Sequence, residues 1–321
     1  MNCRKNKRKL DLLTMFLVKS SPISYSSVLL ALGTIAITLC SLRYLPAQNQ
    51  IALTDQERPI LEQLRGLRHL PDDERAHITK GLAIRIRDLP ASPNKLRLAN
   101  GLASLSTEGD FGHDTLQEVA TTLGDALLES RMTGPASKEN SDTKQLGAAY
   151  AELASLVRYE HVDAPSMADV PQFQEAMEKL ETDDQARQRA DFTLTDLNGK
   201  EWNLKRLKGQ VVVVNFWATW CPPCRKEMPD LDALYQRFEN EGLVILAISG
   251  ESVDKVRPFI VERNISYPVL LDPGRKVHEL FQVEGIPKSF VYNRDGKLVA
   301  QSIDMRTRKQ FLDMLAQAGL H

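Results

Sequence analysis

Val211-Val212-Val213-Val214-Asn215-Phe216 restricts the fold more than any other segment of the chain. Consecutive β-branched residues are stiff at χ1 and pack well on a pleated surface. A continuous apolar run of this length reads as a strand buried on both faces, which needs other elements packed above and below it. The sequence around it supplies them. Phe192 to Lys200 contains a hairpin turn at Asn198-Gly199. Helical patterns follow from Pro222 to about Asn240, over Val253–Arg263, near Val277–Phe281 and over Arg308–Ala318. Between them, Leu243–Ser249, Tyr267–Leu271, Ser289–Tyr292 and Lys297–Gln301 read as extended, the last two flanking a turn at Arg294-Asp295-Gly296. Strands alternating with helices in one small unit predict an α/β sheet covered by helices on both faces, over residues 189–321.

The other end of the chain has a different character. Residues 1–19 carry Arg4, Lys5, Lys7, Arg8, Lys9 and Lys19 against Asp11, a net of +5 in a chain whose total is −1. Ser20 to Leu42 then runs for 23 residues without a charge. As a helix this spans roughly 35 Å at about 1.5 Å per residue, enough to cross a bilayer. Tyr25 and Tyr44 stand where interfacial aromatics belong. We therefore expect a transmembrane signal-anchor over 20–43, with 1–19 as a basic cytoplasmic tail and everything after Arg43 exported. A cleaved signal peptide is the competing reading, but Leu45-Pro46-Ala47 places a large leucine at −3 and Thr38-Leu39-Cys40 puts the cut inside the apolar run. Ile37-Thr38-Leu39-Cys40 is like a lipoprotein box except for the leucine directly before the cysteine.

With the basic tail set aside the remainder carries −6, so no basic field exists to recruit nucleic acid. Four cysteines are too few for a disulfide-dense scaffold. On the expected topology Cys3 lies in the cytoplasmic tail and Cys40 near the end of the apolar segment. Cys221 and Cys224 are then the exported pair, three positions apart in an oxidising compartment.

Residues 54–188 read as an all-α region. Thr54-Asp55-Gln56-Glu57 fits a capping box ahead of an apolar stripe at Ile60, Leu61, Leu64 and Leu67. Stripes advancing by three or four residues follow at Ile78–Leu89, Leu98–Leu105, Leu116–Leu127 and Leu146–Val157, separated by Pro71, Pro90, Pro93 and Gly134-Pro135. The Leu-x-x-Leu pairs in this region recur at uneven offsets, which excludes a solenoid, so a bundle or irregular stack of five or six helices is expected. No motif in it carries chemistry: His69, His77, His113 and His161 lack metal-ligand spacing. The region is expected to space the next domain from the membrane or to dock a partner. A charged helix from about Gln172 to Arg189 is expected to leave it as a solvated linker.

Phe216-Trp217-Ala218-Thr219-Trp220-Cys221-Pro222-Pro223-Cys224-Arg225-Lys226-Glu227 resembles the active-site segment of thioredoxin-fold proteins. More narrowly it is similar to the membrane-anchored TlpA/ResA-type thiol–disulfide oxidoreductases. Gly285-Ile286-Pro287 follows about 65 residues later, before a strand. The similarity covers about Ala190 to Leu320 and leaves the helical region unexplained. It implies a thioredoxin fold, a mixed central sheet flanked by helices. It also implies a cis Ile286–Pro287 bond facing the cysteines, with a substrate peptide running beside that proline. Localisation would be the bacterial inner membrane, single-pass, with the C-terminal domain on the periplasmic side. The partners implied are exported proteins whose disulfides need reduction, such as apocytochrome c or copper-site proteins, and a membrane dithiol as electron donor.

The chemistry follows from position. A strand ending at Phe216 and a helix starting near Pro222 put Cys221 at a helix N-terminus, where free N–H groups and the dipole favour a thiolate. An ordinary thiol of pKa about 8.5 is only ~3% ionised at pH 7. Cys221 is therefore the expected nucleophile, and Cys224, one turn on, resolves the mixed disulfide. No metal and no cofactor beyond this redox-active disulfide is expected. A merely structural disulfide would not need a dithiol at a helix start, and half a zinc site lacks its second ligand pair. Pro222 and Pro223 have no N–H, so they remove two donors and leave that of Cys224. A moderate pKa depression and a reducing couple nearer about −270 mV than the roughly −120 mV of a strong oxidant are expected.

Several residues refine this reading. Asn215 stands where thioredoxins usually carry a buried aspartate, and an amide cannot accept the proton of Cys224. Glu227 shares a helix face with Cys224. The resemblance gives it the role of proton acceptor or modulator of the thiol, against the alternative of an exposed acid that complements the dipole. Lys288 departs from the threonine common in the family and is expected beside the peptide groove or facing solvent. Trp220 is expected as an apolar lip for docking and Trp217 in the core, while Pro229 should kink the active-site helix. A copper metallochaperone is a second function class, but it would need one more residue between the cysteines and a distal histidine, and His278 has no clear ligand role. A thiol peroxidase is a third, although its threonine/cysteine signature is missing.

Overall fold

The computed structural model describes residues 52–133 and 140–321. The expected basic tail and membrane anchor lie outside these residues. Among the described residues no helix is long and apolar enough to cross a membrane.

Residues 52–321 form one compact unit, whose apolar side chains separate into a helical cluster and two clusters on opposite faces of a sheet. The first part is helical: α1 (Glu57–Gly66), α2 (Asp72–Arg87), α3 (Pro93–Ser106), α4 (His113–Thr133), α5 (Asn140–Tyr159) and α6 (Pro171–Arg189). The reciprocal bonds anticipated ahead of α1 are formed. Glu57 N–H donates to Thr54 Oγ1 at 3.2 Å, and Thr54 N–H donates to a Glu57 carboxylate oxygen at 2.8 Å. Ser92 caps α3 by accepting from Lys95 N–H, with Pro93 in the first turn. The stripes meet as their period requires: α2, α3 and α4 pack on one another and α5 on α4, burying Leu82, Ile86, Leu102, Leu123 and Leu153.

The second part opens with a hairpin, β1 (Thr193–Thr195) and β2 (Glu201–Asn203), whose turn has Gly199 at φ +85°. The main sheet comprises β3 (Val211–Trp217), β4 (Leu243–Ser249), β5 (Val269–Leu271), β6 (Lys288–Tyr292) and β7 (Leu298–Gln301) in the order β5-β4-β3-β6-β7. β3, β4 and β5 run parallel, while β6 and β7 join antiparallel. The helices of this part are α7 (Pro222–Phe238), α8 (Val253–Arg263), α9 (Lys276–Leu280) and α10 (Arg308–Gln317). This is a thioredoxin-like mixed sheet flanked by helices. Every residue of β3 and of β4 is buried. Along β3 the strand period sends Val211, Val213 and Trp217 to the cluster that includes α7 and α10, and Val212, Val214 and Phe216 to the opposite one. Asn215 falls on the α7 side by the same alternation.

The segment expected to be a solvated linker behaves otherwise. In α6, Phe173, Asp183 and Arg187 are buried. Arg187 Nε donates to Phe281 O at 3.1 Å, its guanidinium lies 5.2 Å from the Phe290 ring centroid, and Tyr292 Oη donates to Arg187 O at 2.8 Å. A charge count cannot separate a solvated helix from one whose cation is desolvated against an aromatic face. Replacing Arg187 by Ala removes the donor to the Phe281 carbonyl and one of several partners of Asp184. We expect a loss of roughly 2–4 kcal/mol in urea denaturation of the oxidised protein, whereas a solvated linker residue would cost less than about 0.5.

Candidate active site

β3 ends at Trp217 and α7 begins at Pro222, so four residues must turn the chain from the sheet into the helix. Glu251, just after β4, ties this turn down: its carboxylate accepts from Thr219 N–H at 2.6 Å and from Thr219 Oγ1 at 2.9 Å. Cys221 occupies the N-cap position of α7 and is joined to Cys224 by a disulfide. The Cys224 N–H, the donor that the two prolines leave, points at Cys221 Sγ from 3.2 Å. Both cysteines are almost wholly buried, while Trp220 beside them is 67% exposed. Trp217 is buried and its ring centroid lies 5.6 Å from that of Phe259. Pro229 lies inside α7.

The Ile286–Pro287 peptide is cis, and the Ile286 carbonyl oxygen lies 3.8 Å from Cys221 Sγ. The structure thus brings Trp220, Cys221, Cys224, Ile286 and Pro287 together from segments far apart in the chain. His278 stands apart from them: its Nδ1 is 2.8 Å from Asp272, its ring packs edge-on to Phe216, and burial holds its pKa below the ordinary value. Among the described residues no group of three or more His, Cys, Asp or Glu could hold a metal ion.

Glu227 is 2% exposed, which removes the reading of it as an exposed first-turn acid. Asn215 Nδ2 donates to Glu227 Oε1 at 2.9 Å and to Ser289 Oγ at 3.0 Å, and Arg306 N–H donates to Glu227 Oε2 at 3.2 Å. Burial pushes the carboxyl up to about 8, against the pull of the Arg306 N–H and the Asn215 amide. Asn215 therefore holds the acid that stands one turn beyond Cys224.

Lys288 is also placed differently from expectation. Its Nζ donates to Ile303 O at 3.4 Å and lies 5.9 Å from the Tyr159 ring centroid, so it faces the helical part of the molecule. Burial brings its ammonium down to about 8. The strand period decides this, since Lys288 and Ser289 must face opposite ways on β6. Sequence reasoning missed Arg306 altogether. Its contribution at Glu227 is a backbone N–H, which no side-chain pattern announces.

A carboxyl raised from 4.5 to about 8 on folding binds a proton more tightly in the native state. Its stabilising contribution is complete below the unfolded value and is lost as pH rises through the folded one. In the oxidised protein, whose paired cysteines do not titrate, stability should fall between about pH 5 and pH 8. The loss approaches roughly 4 kcal/mol at about 1.4 kcal/mol per tenfold in proton affinity. Glu227→Gln should flatten that slope in urea midpoints measured across this range.

Known proteins resemble the same part of the chain. Residues 186–301 match the AhpC/TSA family. The thiol-disulfide oxidoreductase ResA of Bacillus thuringiensis (strain Al Hakam) is 39% identical over 125 residues, which is 39% of this chain and 72% of that protein. The ResA of Bacillus subtilis (strain 168) is 41% identical over 109 residues, 34% of this chain and 61% of that protein. The crystal structure of StoA from Bacillus subtilis aligns at 25% identity and a TM-score of 0.36, over 39% of this chain and 96% of its own. Matched over more than two thirds of a ResA sequence, and carrying its cysteine pair at a strand-to-helix turn, this chain belongs to the ResA-type thiol–disulfide oxidoreductases.

Proposed function

We propose that the protein reduces disulfides of exported proteins by dithiol exchange at Cys221 and Cys224. The observation that carries this is the disulfide at the N-cap of α7, beside the exposed Trp220 and the Ile286 carbonyl. In the reduced protein the Cys221 thiolate attacks one sulfur of a substrate disulfide. A mixed disulfide forms and the other substrate sulfur leaves as a thiolate, which takes a proton from water. Cys224 gives its proton to the ionised Glu227 carboxylate and attacks Cys221 Sγ, closing the Cys221–Cys224 disulfide and releasing the second substrate sulfur as a thiolate, which takes a proton from water. A membrane dithiol then returns two electrons, and no other cofactor takes part.

The raised carboxyl supports Glu227 as that acceptor. Burial raises its proton affinity towards the range of a thiol, which makes its ionised form a stronger acceptor than an ordinary carboxylate. Trp220, Ile286 and Pro287 would flank the substrate peptide, with the tryptophan face as its apolar contact. In this reading residues 20–43 anchor the chain in a bacterial inner membrane, residues 54–188 form a helical domain, and 189–321 form the thioredoxin-like domain on the periplasmic side. Substrates in cytochrome c or copper-site maturation fit this placement.

Cys224→Ser should accumulate mixed disulfides on Cys221, identifiable by mass spectrometry, and Cys221→Ser should trap nothing. Recovery of no specific chain on Cys221 would remove the dedicated reductase. Insulin reduction with a dithiol donor should proceed, and Glu227→Gln should slow it by about 10–100-fold near pH 8 while erasing an ionisation near that pH. An unchanged pH–rate profile would return Glu227 to a structural role. Copper titration and peroxide turnover distinguish the metallochaperone and the peroxidase.

A further inference from the structure

The helical part has no counterpart in the reaction just described, yet it grips one loop of the thioredoxin-like part at several points. The segment Ser302–Thr307 joins β7 to α10. Ile303 packs against the helical apolar cluster. Thr107 Oγ1 donates to Asp304 Oδ2 at 2.8 Å. The Arg306 guanidinium donates to the Glu160 carboxylate just past α5, and both side chains are largely buried, at 5% and 10% exposure. Beyond the loop, Lys309 pairs with Asp110 at 2.8 Å and Gln310 donates to Gly109 O at 3.4 Å. At the centre of this held segment the Arg306 N–H reaches Glu227 Oε2.

We propose that Glu160 is a positioning residue for Glu227: by holding the Arg306 side chain, it keeps the Arg306 backbone N–H aimed at the Glu227 carboxyl. The helical region thereby acts on the acid beside the dithiol from outside the thioredoxin-like fold. A buried guanidinium that loses its carboxylate cannot stay desolvated, since an unpaired buried charge is strongly unfavourable. The side chain then turns to water and carries its own backbone away from Glu227. Loss of that donor, and of the nearby cation, disfavours the carboxylate.

The groups facing Glu227 from each packed element are Asn215 on β3, Tyr267 ahead of β5, Arg306 and Asp304 on the loop, and Cys224 on its own helix. Removing the Glu160 charge through space alone would favour the Glu227 carboxylate, so the sign of the effect separates positioning from simple electrostatics.

The consequence for exchange rests on Glu227 being the proton acceptor, and the test keeps the two apart. Glu227 is followed by carbon-13 carboxyl NMR in the oxidised full chain, its resonance assigned by its loss in Glu227→Gln. Glu160→Ala should raise the ionisation midpoint by about half a pH unit or more. Glu160→Gln, which keeps an acceptor for the guanidinium, should raise it less. Thr107→Val, which releases the loop at Asp304, should also raise it and serves if Glu160→Ala does not fold. An unchanged or lowered midpoint in the folded variants overturns the proposal. If the midpoint rises while the pH–rate profile of insulin reduction stays put, the positioning role stands and the proton-acceptor reading of Glu227 fails.

Discussion

β3 is buried on both faces along its whole length, and a strand in that position has to be covered twice. One face packs against α7 and α10, and the other against the side chains of Phe192, Leu204, Phe281 and Phe290. At roughly 1.5–3 kcal/mol for each fully buried large apolar side chain, this burial holds the strand in register with β4 and β6. It also fixes where the strand ends, and so where Cys221 stands. The cysteine pair is placed by the sheet rather than by its own loop, and Glu251 needs only to tie down the turn between them.

One polar side chain interrupts that burial. A buried amide must satisfy its hydrogen bonds, and Asn215 does so with Glu227 on α7 and Ser289 on β6. Glu227 in turn needs a second donor, which comes from the loop after β7. The loop is held by the helical region, so a chain of hydrogen-bonded polar groups runs from the strand beneath the disulfide to Glu160, just past α5. The two parts share one compact unit while keeping separate apolar clusters. Their junction includes Thr107–Asp304, Arg306–Glu160, Lys309–Asp110 and Lys226–Asp72. Bonds of this kind hold an orientation through direction, which apolar contact does not supply.

Period and punctuation made most elements readable. Val253–Arg263 and Leu243–Ser249 run as expected, the capping box at Thr54 and Glu57 closes, and Gly199 takes the positive φ that an Asn-Gly turn requires. The site was legible where it rests on local order, since the Cys221 and Cys224 spacing and the paired prolines are properties of one helical turn. Lys288 and Arg187 on α6 depart from the sequence pattern for a shared reason. Each is a cation whose environment is set by residues far away in the chain, Tyr159 and Ile303 for one, Phe281 and Phe290 for the other.

Sequence by itself determined the alternation of strands and helices, the cysteine at a helix start and the acid on its face. Those follow from side-chain period and from backbone donors that the two prolines remove. Tertiary structure decided that Glu227 is buried, that Asn215 is its partner and that Arg306 completes the pair through a main-chain N–H. Burial depends on what packs from the other side, and a backbone donor has no residue identity to read. The proton affinity of Glu227, on which the exchange is proposed to depend, therefore emerges only when strand, helix and loop close around the same carboxyl.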